Sequence, residues 1–339
     1  MTVSEQLAVG EGLTLIKKSG FRFKKTVLVV SVKLLLTFLA FYVISKRVTF
    51  NPVDYLNESN INYFLVGSAL AILLIIVQAS RWSRILNLFG TEVSLKKSLV
   101  AVWFGHLINH IVPTAAAGDL LRSYTLRHAN LKHGKWKWLG AFFLEKYCAA
   151  TSALLIASVA LTTSIHTKLP LILMAFILLL TLSLVIAPMM GVRLSPYFKF
   201  KRIHQLVARV EQMSVLLLQS FMDRRGRYAF FSSVLINFGM CVVFYLIALG
   251  LGVEIQFAQC LFVVPVFTLL AALPISFAGW GVRELSCVGL LGYFDVSSEN
   301  ALIVSVMYGL LFFLSSLPGI LAAYPFFASM RRVPAEGIC

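Results

Sequence analysis

Charge is scarce in this chain, and acidic charge is scarcest. Of 339 residues 13% are charged, and 14 acids face 30 bases. Soluble domains carry about a quarter charged residues, so this composition excludes an ordinary water-soluble globule. No polar stretch is long enough to form a soluble domain. The five cysteines, Cys148, Cys241, Cys260, Cys287 and Cys339, are odd in number and scattered. They lack the paired spacing of a disulfide framework or zinc site. Neither HExxH, nor a GxxxxGK phosphate loop, nor a glycine-rich dinucleotide fingerprint occurs. The sequence therefore predicts no metal, no cofactor and no nucleotide-driven step.

What is present in excess is hydrophobic length, at 59% apolar residues and a mean hydropathy of +0.86. Crossing ~30 Å of hydrocarbon takes about 20 helical residues. Runs of that order lie at Thr26–Ile44, Ile61–Ala79, Ser98–Ala117, Trp138–Leu161, Leu169–Met190, Tyr228–Leu251, Phe257–Phe277 and Asn300–Phe326. The polar residues before the first run show no cleavage-site pattern, so Thr26–Ile44 reads as a retained span.

Two of the runs end in the same motif. PTAAAGDLLR, from Pro113 through Gly118 and Asp119 to Arg122, matches PISFAGWGVR, from Pro274 through Gly279 to Arg283, as P-x4-G-x3-R. Topology tests the repeat, because short cytoplasmic loops collect Lys and Arg. If Ser98–Ala117 enters and leaves from the cytoplasm and Phe257–Phe277 from outside, 24 of the 30 bases fall on cytoplasmic segments, with Arg81 and Arg84 counted in the loop before the first motif. The expected fold is an all-α polytopic membrane protein with about six full spans and two re-entrant broken helices in an inverted-topology repeat. Two kinked ordinary spans are the plainer alternative. The expected divisions are a cytoplasmic segment over 1–25, one transmembrane domain over 26–327 and a cytoplasmic tail over 328–339. Within that domain, repeats of about 61–162 and 228–326 flank an amphipathic cytoplasmic linker over 191–227.

Ionisable residues at membrane depth are costly and mark candidate sites. Here they include His106, His110, Asp119, Arg122, Glu145, Lys146, Arg283 and Glu284. Arg122 and Arg283 each offer a planar donor fork suited to phosphate; equally, each suits a structural pair with Asp119 or Glu284. Glu145 and Lys146 are adjacent, so they point to different sides of their helix. One can face a cavity while the other snorkels. Glu145 is a candidate coupling-proton carrier or an ion-pair partner. His106 and His110 share a helical face with Asn109 beside them, which suits proton relay, a substrate hydrogen bond or simple packing. The surplus bases flank spans, where anionic phospholipid at the cytoplasmic face accounts for them, with no nucleic acid.

GHLINHIVPTAAAGDLLRSYTLRH, FFLEKYCA, LPISFAGWGVRE and SSLPGILAAYP together resemble the lysylphosphatidylglycerol synthase transmembrane-region family, the flippase portion of bacterial aminoacyl-phosphatidylglycerol synthases and their stand-alone relatives. The likeness covers about Arg81 to Tyr324. The family often shows Glu-Arg where this chain has Glu145-Lys146, and a glycine where it has Thr114-Ala115. No soluble transferase domain accompanies the match, so the resemblance implies lipid translocation without lipid synthesis, in a bacterial cytoplasmic membrane; the distribution of bases places both termini inside. The substrate expected is an anionic phospholipid or a polyprenyl-phosphate-linked lipid, not processed enzymatically. Its headgroup would sit among Asn109, Pro113, Gly118, Asp119, Arg122, Pro274, Gly279, Arg283 and Glu284, with Glu145, Lys146, His106 and His110 as coupling candidates. A non-transporting scaffold for a glycosyltransferase or lipid synthase is the rival reading, and a lipid-modifying membrane enzyme a further one.

Overall fold

The computed structural model describes residues 60–111, 118–119, 122, 135–161, 175–179, 182, 219–272 and 281–320. Among them the regular structure is helical throughout: α1 (Ile61–Leu88), α2 (Leu95–Ile111), α3 (Lys135–Ala160), α4 (Arg224–Gly250), α5 (Phe257–Ala271), α6 (Val282–Gly292) and α7 (Ser298–Ser316). Four stretches are long and apolar enough to cross a membrane: Ile61–Leu88, Gly140–Ala160, Arg224–Gly250 and Ser298–Ile320. The protein is therefore an all-α integral membrane protein. Four of the six full spans expected fall among the described residues. The spans at Thr26–Ile44 and Leu169–Met190, the segment 1–25, the linker up to residue 218, the tail, and Pro113, Pro274 and Gly279 lie outside them, apart from short helical fragments at 175–179 and 182.

The helix preceding the second motif is short. The α5 segment has 15 residues, about 22 Å at 1.5 Å per residue, well under the thickness of the hydrocarbon. It closes at the cap Ala272, as Pro274 requires, since the residue before a proline disfavours the helical region. Pro265 inside it gives up one backbone donor. Before the first motif, α2 is described over 17 residues, Leu95–Ile111.

The start of α4 separates a charge that caps the helix from charges that do not stabilise it. The α4 N-cap Asp223 accepts the Arg225 amide at 2.6 Å. The bases that follow, Arg224, Arg225 and Arg227, occupy a first turn whose dipole disfavours cations. At α6 the N-cap is Gly281 at φ +86°, a left-handed conformation that glycine adopts without strain.

Packing is built on α1 lying along α4, with α3, α5 and α7 closing around them. A Cβ on Gly239 of α4 would meet Leu74 of α1 at 2.6 Å, so this glycine sets how closely the two helices approach. The larger core joins α1, α3, α4, α5, α6 and α7. At its centre the ring of Tyr308 lies 5.5 Å from Phe244, 5.6 Å from Phe267 and 4.8 Å from Phe312, tying α4, α5 and α7 together. A smaller core gathers Trp82, Ile85, Val102, Leu144 and Cys148 from α1, α2 and α3. The polar site is built beside it.

Candidate functional site

The first polar group forms where α1, α3 and the residues of the first motif meet. Glu145 on α3 is 1% exposed and takes two guanidinium groups. Arg81 of α1 donates from Nη2 to Glu145 Oε1 at 2.9 Å and from Nη1 to Ser233 Oγ of α4 at 2.8 Å. Arg122 grips the same carboxylate with both Nη groups, at 3.2 Å and 2.5 Å. Its Nη2 also lies 3.2 Å from Asp119. The Arg122 guanidinium is stacked over the Trp82 ring, 4.3 Å from the centroid, a cation–π contact strengthened by the absence of water.

Buried ion pairs persist only when the partners compensate one another and their hydrogen-bonding capacity is used. Arg81, Arg122, Glu145 and Asp119 are all buried, and two positive charges meet two negative ones. Lys146 adds a fifth charge through an ion pair to Asp119, but its side chain is 48% exposed. Neighbours on α3 thus divide as adjacent helical positions must: Glu145 faces inward and Lys146 outward.

Glycines let the first motif approach α2. A Cβ on Gly118 would lie 1.8 Å from the Gly105 carbonyl oxygen. The Gly118 amide is held instead by Asn109 Oδ1 at 2.8 Å. Asn109 is therefore a clamp on the motif's backbone, at the residue that precedes the ion-paired Asp119.

The second group belongs to the other copy of the motif. Glu284 is fully buried; its Oε2 accepts the Gly281 amide at 2.6 Å, and its Oε1 pairs with the guanidinium of Arg283. Arg283 lies flat against α7, where a Cβ on Gly309 would come within 2.0 Å of its Nη2.

Helix α2 connects the two groups. His106 hydrogen-bonds Gln78 of α1 at 2.6 Å and lies within electrostatic reach of Arg122, Asp119 and Glu145. One turn on, His110 packs edge-on to Phe313 of α7, with ring centroids 6.0 Å apart, and lies within reach of Arg283. Trp103 anchors the same helix to α7 by donating to the Ser315 carbonyl at 3.0 Å. Asp119, Arg122, Glu145 and Lys146 thus form one group, Arg283 and Glu284 another, with His106, Asn109 and His110 along α2 between them. Of the two readings open for each Arg, the structure shows the ion pair: Arg122 with Asp119 and Glu145, Arg283 with Glu284. Pro113, Pro274 and Gly279 lie outside the described residues.

Arg81 is the residue that sequence reasoning misplaced. Counted with the cytoplasmic loop bases, it is instead 4% exposed inside α1. The signal was available: nothing after Ala79 breaks the helix before Gly90, so Gln78, Arg81, Trp82 and Ile85 continue one face at helical spacing.

Residues 26–319 match the family model for the lysylphosphatidylglycerol synthase TM region. The chain belongs to this family. A search of curated proteins returns no match. Membership in the lysylphosphatidylglycerol synthase TM region ties the chain to membrane-lipid function and covers both polar groups, since each residue from Arg81 to Glu284 falls inside the match.

Proposed function

We propose that this protein is a lipid flippase that moves an anionic phospholipid or a polyprenyl-phosphate-linked lipid between leaflets and performs no chemistry on it. The observation that carries the reading is the placement of two buried carboxylate–arginine groups, one from each copy of the P-x4-G-x3-R motif, at either end of the His106–His110 face of α2. A phosphate needs fixed cationic donors on its way through an apolar medium, and Arg122 and Arg283 can supply them.

The short helix before the second motif, Phe257–Ala271, supports re-entrant geometry, in which broken helices meet near the midplane and present backbone donors to the substrate. The acyl or prenyl tail stays in the lipid while the headgroup passes along α2. Arg122 and Arg283 are held by carboxylates in the resting state and exchange that partner for phosphate as the headgroup arrives. Such exchange keeps each guanidinium paired throughout, and Glu145 retains Arg81 when Arg122 turns to phosphate, so no fully isolated buried charge forms there. Anionic phospholipid at the cytoplasmic face meets the bases of the α4 first turn, and a lipid synthase or glycosyltransferase is the natural source of the cargo.

Native mass spectrometry of gently purified protein tests the site. Wild type should retain one phosphate-bearing lipid, and the Arg122→Ala/Arg283→Ala double variant should lose it. Arg283→Ala alone keeps the test open where loss of Arg122 unfolds the chain. Retention of bulk phospholipid alone, the same in all proteins, would shift the reading to a scaffold for another membrane enzyme.

A further inference from the structure

The first polar group has more positive charge than its buried carboxylates absorb, and the excess resides on one accessible side chain. Arg81, Arg122, Glu145 and Asp119 balance among themselves in the interior, whereas Lys146 is a fifth charge with a half-exposed side chain. We propose that Lys146 is the headgroup-selecting residue: it leaves Asp119 to bind the phosphate of an anionic phospholipid and so sets the preference for anionic over zwitterionic lipid. This rests on the lipid-binding part of the flippase reading and on its site.

Three features of the surroundings support the assignment. First, Lys146 can exchange partners without exposing a bare buried charge, because Asp119 keeps Arg122 at 3.2 Å. Withdrawing Arg122 or Arg81 instead would leave Glu145 with half of its compensation. Second, Lys146 is six residues into the apolar stretch Gly140–Ala160, about 9 Å from its start at 1.5 Å per residue. From that position the long Lys side chain can snorkel to the headgroup layer. Third, the same side of α3 is aromatic. Phe143 is 45% exposed one turn before Lys146, and the Lys146 ammonium lies 5.4 Å from the centre of the Phe142 ring. A cation bordered by accessible aromatic surface fits an amphiphile with an anionic head and an apolar tail. A free phosphate would use the cation but gain nothing from Phe143.

The test is lipid-dependent thermal stabilisation of the purified full chain, since a ligand that binds only the folded state raises its melting temperature. Short-chain phosphatidylglycerol, short-chain phosphatidylcholine and inorganic phosphate are titrated in parallel. Wild type should bind phosphatidylglycerol more tightly than phosphatidylcholine. Lys146→Gln should lower the phosphatidylglycerol affinity about fivefold, the share of one near-surface cation, and leave phosphatidylcholine unchanged. Lys146→Arg should restore the preference. Equal preference in wild type and Lys146→Gln, or no preference in wild type, overturns the proposal. So does inorganic phosphate stabilising the wild type as well as phosphatidylglycerol does, which would assign the cation to a free anion. Translocation is not read in this experiment, so a protein that selects lipid through Lys146 but fails to move it would refute the flippase reading alone.

Discussion

Arg81 and Glu145, 64 residues apart in the chain, share a buried ion pair with Nη2 2.9 Å from Oε1. This contact joins α1 to α3, and through Glu145 to Arg122 of the first motif. Truncating Glu145 strands the buried Arg81 guanidinium, and truncating Arg81 leaves Glu145 with Arg122 alone, so part or all of the ~3–5 kcal/mol cost of breaking a buried pair applies. Arg81→Ala should therefore lower the melting temperature of the purified protein far more than Arg84→Ala, whose guanidinium lies over the Tyr228 ring rather than on a carboxylate. Equal shifts for the two would mean that Glu145 is compensated without Arg81.

Gly309 and Arg283 make a second prediction. A Cβ at Gly309 meets the end of a flexible side chain rather than backbone, so Gly309→Ala should cost less stability than the ~1–3 kcal/mol of rigid overpacking. It should nevertheless push the guanidinium off α7 and reduce lipid retention. Unaltered retention would show that where Arg283 lies does not matter to the cargo.

At Gly118 the same substitution has no such escape, because the atom it meets is the backbone carbonyl of Gly105 at 1.8 Å. Gly118→Ala should destabilise by at least the ~1–3 kcal/mol of overpacking, read as a lower melting temperature or loss of folded protein on size exclusion. Asn109→Ala removes only the hydrogen bond to the Gly118 amide, a change of about 1–3 kcal/mol if that amide is left unsatisfied. A Gly118→Ala protein as stable as wild type would mean that the first motif does not cross α2 closely.

Re-entrant geometry predicts the sidedness of the motifs. Cys148, Cys241, Cys260 and Cys287 are buried, so a background of Cys339→Ser leaves little for a thiol reagent to find. A cysteine at Ala116 should then react from the cytoplasmic side and one at Ala278 from the opposite side. Labelling of both from a single side would contradict the inverted repeat.

The sequence discloses the apolar architecture well, because hydrophobic length and periodicity are local properties. Ile61, the expected start of the second span, is also the first residue of α1, and Pro274 announces the close of α5 at Ala272. It also singles out Asp119, Arg122, Glu145 and Glu284 as charges away from water, though not Arg81, which it counts with the loop bases. Partner choice is harder to see. That Glu145 binds Arg81 as well as Arg122, or that Arg283 lies on Gly309, depends on helices brought together from distant parts of the chain. Nothing in the spacing of the P-x4-G-x3-R motifs shows that their arginines are already engaged by carboxylates, and only the inward turn of Glu145 distinguishes it from its neighbour Lys146.

The central claim is movement of a phosphate-bearing lipid along the path between Arg122 and Arg283. Its most direct measurement is translocation of fluorescent phosphatidylglycerol and a fluorescent polyprenyl phosphate in reconstituted vesicles, read by quenching from outside. Protein-containing vesicles should lose protection of the inner-leaflet probe for at least one of the two lipids, and Arg283→Ala should slow that loss severalfold while remaining folded. Persistent protection of both probes in wild-type vesicles, or equal rates in wild type and the folded variant, would contradict the account.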